Sequence, residues 1–295
     1  MASWQMNAVA AFTRLVYQRG FATEQAGRQI LARPKRPSAP PKAITRRFQV
    51  GTSREHGFDL HRLTTGQPDT GVTVVYLHGG AYTNEIVGPH WSFIGHLADR
   101  TGHRMLVPIY GLAPAHQGLA ALEFVTAVIT AEVAQGRRVY LAGDSAGGGL
   151  ALLAAQAVGG QAGGVAGLTA IAPWLDLSMS NPEVDALEPS DPWLRRAGLR
   201  PIAAAWAGAV DLTDPRVSPL YGDLTRLPPT QILVGTRDIT LPDCRVLRDR
   251  IPQSVPLTYH EQEGAVHVYP LLPVPEARTG RAAVVSHLRA STTGG

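Results

Sequence analysis

The chain opens on a helical pattern. Over residues 3–19 the apolar positions Met6, Val9, Ala10, Leu15 and Val16 recur at roughly helical spacing, and a second short helix is expected over 22–32. Four prolines in RPKRPSAPPK (33–42) then predict an extended linker. From Ile44 the pattern turns strand-like, in ITRRFQV (44–50), GFDLHRLT (57–64) and VTVVYLH (72–78). After that, apolar β-type runs alternate with helical ones. HRMLVPI (103–109) precedes a helix near 117–134, and RRVYLAG (137–143) precedes one near 146–158. VAGLTAIAP (165–173) leads into an irregular stretch. QILVG (231–235) precedes a helix near 242–250, and VPLTYH (255–260) a last helix near 275–289. Near-continuously apolar strands alternating with helices predict an α/β fold with a mostly parallel sheet covered on both faces. Active sites of such sheets lie beyond the carboxyl ends of the strands.

Residues 174–230 break the alternation. They hold Trp174, Trp193 and Trp206, many prolines and one helical piece near 200–210. An insertion at the strand ends is placed to cover the site, so this stretch is expected to form a lid.

Composition narrows the class. With 44% hydrophobic and 17% charged residues, a 295-residue chain can bury a full core, which excludes general disorder. No window reaches the 18 or so apolar residues of a membrane-spanning helix. The N-terminus lacks the marks of a signal peptide. The single cysteine, Cys244, excludes an internal disulfide and a thiolate metal cluster, and a cytoplasmic protein is the simplest fit. The net charge of +4 hides an asymmetry. Residues 1–50 carry nine basic side chains against one acid, Glu24, or +8, and the remainder is mildly acidic. The ordinary reading of such an arm is a solvated helix face, with no nucleic-acid partner and no stable membrane insertion.

Two motifs carry the chemistry. Gly143-Asp144-Ser145-Ala146-Gly147 fits Gly-x-Ser-x-Gly between a strand and a helix. A turn that tight exposes the serine as a nucleophile, and small neighbours relieve its crowding. Earlier, His78-Gly79-Gly80-Ala81-Tyr82 follows the strand VTVVYL. Acyl transfer develops an oxyanion, and backbone N–H groups of Gly79, Gly80 and Ala146 are the candidate donors.

These pieces, with LVPIYGLAP (106–114), APWLDLS (172–178), DPRVSPLYGDLTRLPPT (214–230), ILVGTRD (232–238) and GAVHVYP (264–270), resemble the bacterial hormone-sensitive-lipase-like esterases of the α/β-hydrolase superfamily. The resemblance spans roughly 70–270 in family order. It implies the α/β-hydrolase fold, a mostly parallel sheet of about eight strands flanked by helices, no cofactor or metal, and ester hydrolysis. It also implies a cap built from the N-terminal helices and an insertion. The expected divisions are residues 1–43 for cap helices and linker, and 44–295 for the catalytic domain with a cap insertion at about 176–212. Two departures stand out. Ala81 replaces the third glycine of the usual motif, and Gly111 and Ala115 replace an arginine and a glutamate in Tyr110–His116.

The chain order on this fold is Ser, then Asp or Glu, then His. Three histidines lie late enough: His260, His267 and His287. His267, in a loop, matches the family's catalytic histidine. Asp238 lies just past a strand end and matches the family's acid, with Asp243 as the alternative. Tyr82, Trp193, Trp206 and Tyr221 are candidate substrate contacts, with Trp4 and Phe12 as further ones from the N-terminal helix. The expected activity is hydrolysis of short- to medium-chain carboxylic esters through an acyl-enzyme. A deacetylase, amidase or lactone hydrolase acting on a specialised metabolite is the alternative. A non-hydrolytic ligand-binding or cyclase role ranks behind both. The expected partner is a small-molecule ester, and the resemblance leaves room for a homodimer.

Overall fold

The computed structural model describes residues 2–36, 38–159 and 164–293. Eight strands form one sheet: β1 (Gln49–Glu55), β2 (Phe58–Thr64), β3 (Val72–Leu77), β4 (Arg104–Ile109), β5 (Arg138–Asp144), β6 (Val165–Ile171), β7 (Thr230–Gly235) and β8 (Leu257–Gln262). Their spatial order is β1-β2-β4-β3-β5-β6-β7-β8. The β1–β2 and β2–β4 pairs are antiparallel, and the others are parallel. The chain leaves β3 toward β4 and returns to β5 on the other side. That reversal opens a crevice at the carboxyl ends of β3 and β5.

Helices α1 (Trp4–Val16), α2 (Gln18–Phe21), α3 (Glu24–Ala32) and α4 (Lys42–Thr45) precede the sheet. Helices α5 (Gly88–Thr101), α6 (Gly118–Ala134) and α7 (Ala146–Val158) follow β3, β4 and β5. Two more, α8 (Glu183–Leu187) and α9 (Arg196–Ala207), lie between β6 and β7. Helix α10 (Leu241–Arg250) follows β7, and α11 (Glu276–Thr293) follows β8. Strand alternation divides the core. Val75 and Leu77 join the cluster with residues of α6, α7 and α9, whereas Val74 and Tyr76 join the one with residues of α5 and α11.

One local expectation is corrected. ITRRFQV does not form a strand from Ile44: residues 42–45 are helical and β1 starts at Gln49. Ile44 and Phe48 both pack where a Cβ on Gly95 of α5 would stand, each 3.2 Å from it. That i, i+4 pairing is a helical register, and it buries both side chains. Helix α5 fills a stretch that the apolar pattern leaves unassigned. It ends on Gly102 in the left-handed region, at φ 71°.

The N-terminal helices and the α8–α9 segment meet over the carboxyl ends of the strands. A Cβ on Gly27 of α3 would lie 2.1 Å from the Gly198 carbonyl oxygen, and one on Gly198 would lie 2.4 Å from Phe21 Cα. Glycine at both positions lets the backbones touch. Helix α1 is pinned at its start: the Ser3 N–H and hydroxyl donate to the Glu276 carboxylate at 2.6 and 2.9 Å.

Candidate active site

Ser145 joins β5 to α7 with φ 53° and ψ −122°. A non-glycine residue at positive φ is strained, and only tight surroundings hold it there. Here they do. The Ser145 N–H donates to the Ile171 carbonyl at 2.8 Å, and its carbonyl accepts from the Trp174 N–H at 3.0 Å. A Cβ on Gly147 would stand 2.1 Å from the Leu77 carbonyl oxygen, and one on Gly143 would stand 2.4 Å from the Gly147 oxygen. The small residues of the motif are therefore demanded by close approach.

His267 Nε2 lies 2.8 Å from Ser145 Oγ, and His267 Nδ1 lies 2.8 Å from Asp238 Oδ2. The other carboxylate oxygen of Asp238 accepts from the Thr240 N–H and hydroxyl, both at 2.9 Å. Asp238 is fully buried and His267 nearly so. Burial disfavours the imidazolium, but the Asp238 carboxylate, with Asp191 and Asp144 farther away, outweighs it. The His267 pKa lies above the ordinary histidine value. The serine, imidazole and carboxylate thus form a continuous hydrogen-bonded row.

Asp191 is a residue the motifs do not reveal. It stands in the α8–α9 segment and is fully buried. Its Oδ1 accepts the N–H groups of Trp193 and Leu194 at 2.6 and 2.9 Å, and its Oδ2 accepts the Ile239 N–H at 3.0 Å. Burial, then repulsion from Asp238, pushes its carboxyl up to about 6. The Trp193 ring meets the His267 imidazole edge-on, at 5.8 Å and 87°. Only the fold brings Asp191 beside Asp238.

The expected oxyanion donors are partly corrected. The Gly79 N–H is already donated to Asp144 Oδ1 at 3.1 Å, so it is not available to a ligand. Asp144 also accepts from the Tyr76 hydroxyl at 2.6 Å and lies 3.2 Å from His90 Nε2. Burial pushes the Asp144 carboxyl up, but His90 and these hydrogen bonds prevail and hold it below the ordinary value. Gly80 and Ala81 border the cavity beside Ser145. Ala146 is the first residue of α7, where N–H groups lack partners within the helix. Gly80 and Ala81 thus stand on the cavity wall and Ala146 at the start of α7, whereas the Gly79 N–H is turned to Asp144.

Ser145 and His267 open on a cavity of about 870 Å³. Phe21, Ile30, Leu175, Met179, Val184 and Leu199 contribute apolar lining, and Phe12, Val16 and Tyr17 line it from the N-terminal segment. Of the four expected substrate contacts, only Trp193 lines it. Tyr82 and Trp206 are fully buried and stack on each other at 4.1 Å and 6°. The left-handed turn at Ala81 and Tyr82 puts the tyrosine ring into the core, where its hydroxyl and Trp206 Nε1 have no hydrogen-bond partner. Tyr221 lies in a short turn, with its hydroxyl on Asp176 Oδ2 at 3.1 Å. Trp4 does not reach the cavity, whereas Phe12 does.

The remaining candidates fall elsewhere. Asp243 lines the cavity, accepts from Asn181 Nδ2 at 2.9 Å, and is pushed up to about 6 by burial. His260 lies within β8, 3.5 Å from Gln231 Nε2. His287 lies 2.6 Å from the Tyr140 hydroxyl. Neither lines the cavity. Among the described residues, no group of three or more His, Cys, Asp or Glu is arranged to hold a metal ion.

Comparison with known proteins gives the chain's family. Residues 74–271 match the α/β-hydrolase fold family. An acetyl-hydrolase of Streptomyces hygroscopicus is 33% identical over 231 residues, covering 75% of this chain and 77% of that protein. A triacylglycerol lipase of Mycobacterium tuberculosis is 34% identical over 225 residues, covering 73% of this chain and only 46% of the lipase. A crystal structure of an esterase from the bacterial hormone-sensitive lipase family superposes with a TM-score of 0.79 at 25% identity, over 99% of both chains.

Proposed function

Because this chain belongs to the α/β-hydrolase family, among the bacterial hormone-sensitive-lipase-like esterases, and is a carboxylic ester hydrolase, we propose that it works through Ser145, His267 and Asp238. The observation that carries this reading is the row from Ser145 Oγ to His267 to Asp238, both links 2.8 Å, at the floor of an apolar cavity. His267 takes the Ser145 proton as Oγ attacks the ester carbonyl. Asp238 holds the imidazole in the tautomer with its free lone pair toward serine and stabilises the cation that forms. The N–H groups of Gly80, Ala81 and Ala146 receive the oxyanion. The imidazolium then protonates the leaving alkoxide, and water releases the acyl group by the same path in reverse.

In this reading, residues 1–43 and the insertion at about 176–212 form the two halves of a cap. Their backbone contact at Gly27 and Gly198 supports it. The substrates are esters of short to medium acyl chains, in keeping with the volume and apolar lining of the cavity. A second reading is removal of acetyl groups from a specialised metabolite, favoured by the similarity to an acetyl-hydrolase.

Hydrolysis of p-nitrophenyl acetate and butyrate tests the proposal. Ser145→Ala is expected to lower kcat by at least ~10⁴-fold with the fold intact. A fluorophosphonate probe is expected to label the wild type and not His267→Ala. Undiminished turnover by Ser145→Ala refutes the nucleophile, and equal labelling refutes the base.

A further inference from the structure

The six most exposed large apolar side chains of the described residues are Trp4, Leu15, Phe12, Val87, Val16 and Tyr17, at 75, 70, 55, 52, 48 and 46%. Five belong to one stretch of 14 residues, and the sixth lines the same cavity as three of them. On α1 the exposure has a helical register. Trp4, Ala8, Ala11, Phe12, Leu15 and Val16 are exposed, and Met6, Ala10 and Thr13 on the opposite side are buried. The helix therefore has two apolar faces, of which the core uses one. A stripe of this width normally faces a core, not water.

The exposed face continues into the mouth of the cavity. Phe12, Val16, Tyr17 and Val87 also line the space above Ser145. The flanks are mainly cationic. Arg14, Arg19 and Arg33 are exposed, Arg19 and Arg33 border the cavity, and the acid that borders it beside Val87, Glu85, accepts from the Arg36 N–H. Glu24, the sole acid of residues 1–50, is engaged by Arg28. Among the described residues no helix is long and apolar enough to cross a membrane. An amphipathic helix with an apolar face and arginine flanks is suited to lie in the plane of an interface instead.

We propose that the outer face of α1, with Val87 and the arginines around the cavity mouth, docks the protein on an anionic lipid surface. Docking sinks Trp4, Phe12, Leu15 and Val16 into the headgroup boundary and seats the arginines among phosphates. The cavity mouth then opens onto the lipid phase, so an apolar ester can enter without crossing water. A second copy of the chain fits this face poorly. It would bring two +8 segments together and close both cavity mouths. The sequence reading of the arm as a solvated face accounts for its arginines but not for its exposed apolar stripe.

Vesicle co-sedimentation of full-length Ser145→Ala protein tests docking without turnover. The probes are phosphatidylglycerol and phosphatidylcholine vesicles at low and high salt. Binding to the anionic vesicles is expected to be about tenfold tighter than to the neutral ones, and to weaken with salt. Adding Trp4→Ser and Leu15→Ser is expected to weaken it a further ~10-fold or more. In the Ser145 background the same pair leaves hydrolysis of dissolved p-nitrophenyl acetate unchanged, because neither residue lines the cavity. Arg14→Glu is expected to weaken anionic binding alone. Equal binding to both vesicle types, or by the Trp4/Leu15 variant, overturns the proposal. So does a dimer in sedimentation that the same variant dissociates, which would assign the face to a second copy. The docking surface rests on no assumption about the triad. Loss of the triad proposal would show in turnover and leave vesicle binding intact.

Discussion

At Asp191 one carboxylate does two jobs. It gathers three backbone N–H groups from the α8–α9 segment and from the residue after Asp238, and it sits close enough to raise the His267 pKa. On the proposed reading His267 is the base and must be neutral to accept the serine proton, so activity rises with pH through its pKa, which lies above the ordinary histidine value. Asp191→Asn removes a charge that favours the imidazolium. Its expected effect is to move the acid limb of kcat/KM to lower pH, with a stability loss of about 1–3 kcal/mol for the disturbed hydrogen bonds. A pH–rate profile decides, since a limb left in place or moved upward contradicts the assignment. Tyr82 and Trp206 carry the opposite lesson. An aromatic residue beside a motif or in an insertion looks like a substrate contact, yet here the two stack in the core.

Among the elements, the junction of α3 and α9 decides the shape of the cavity. Gly27 and Gly198 let two helices from distant parts of the chain meet at backbone contact, and Phe21, Ile30 and Leu199 line the space below. Gly198→Ala would place a methyl group 2.4 Å from Phe21 Cα, which forces α9 away from the end of α2, just ahead of α3. Such overpacking costs about 1–3 kcal/mol. The expected outcome is a melting temperature several degrees lower and an altered preference along an ester chain-length series. Gly51→Ala is the control, since nothing lies within 4 Å of the added group. Calorimetry on the pair checks this, and equal melting temperatures would show that the junction yields freely.

Across the whole molecule, two sets of buried groups oppose each other as pH falls. His78 and His287 are held neutral by burial, with pKa values lowered to about 4. The unfolded chain protonates near 6.5, so between there and about 4 it binds more protons and stability drops on acidification. Asp191 and Asp243 are pushed up to about 6, so the folded protein takes up protons first and stability rises as pH falls from there toward 3.8. His287→Gln is therefore expected to gain melting temperature relative to wild type as pH falls from 6.5 to 4. Asp243→Asn is expected to lose it. A pH series of melting curves reads both slopes, and slopes of the same sign would refute the pairing.

The alternation of apolar strands and helices in this chain already dictates a parallel sheet, because strands buried on both faces carry apolar side chains in both directions. The elbow at Ser145 and the Gly-rich turn after β3 rest on local backbone demands, a strained turn or a glycine where no Cβ fits, that a short motif records. His267 stood out through chain order and the family resemblance instead. Contacts between distant segments leave no such record. Whether Gly79 or Ala81 offers its N–H to a ligand depends on where Asp144 points. That Trp174 and Trp193 face the cavity while Trp206 does not depends on how the segment between β6 and β7 packs. Asp191 becomes significant only beside Asp238, 47 positions away in the chain. The helical period of α1 shows two apolar faces, but only the tertiary structure decides which the core uses and which stands free at the cavity mouth. Periodicity fixes the direction of side chains about a helix axis, and only packing fixes what they meet.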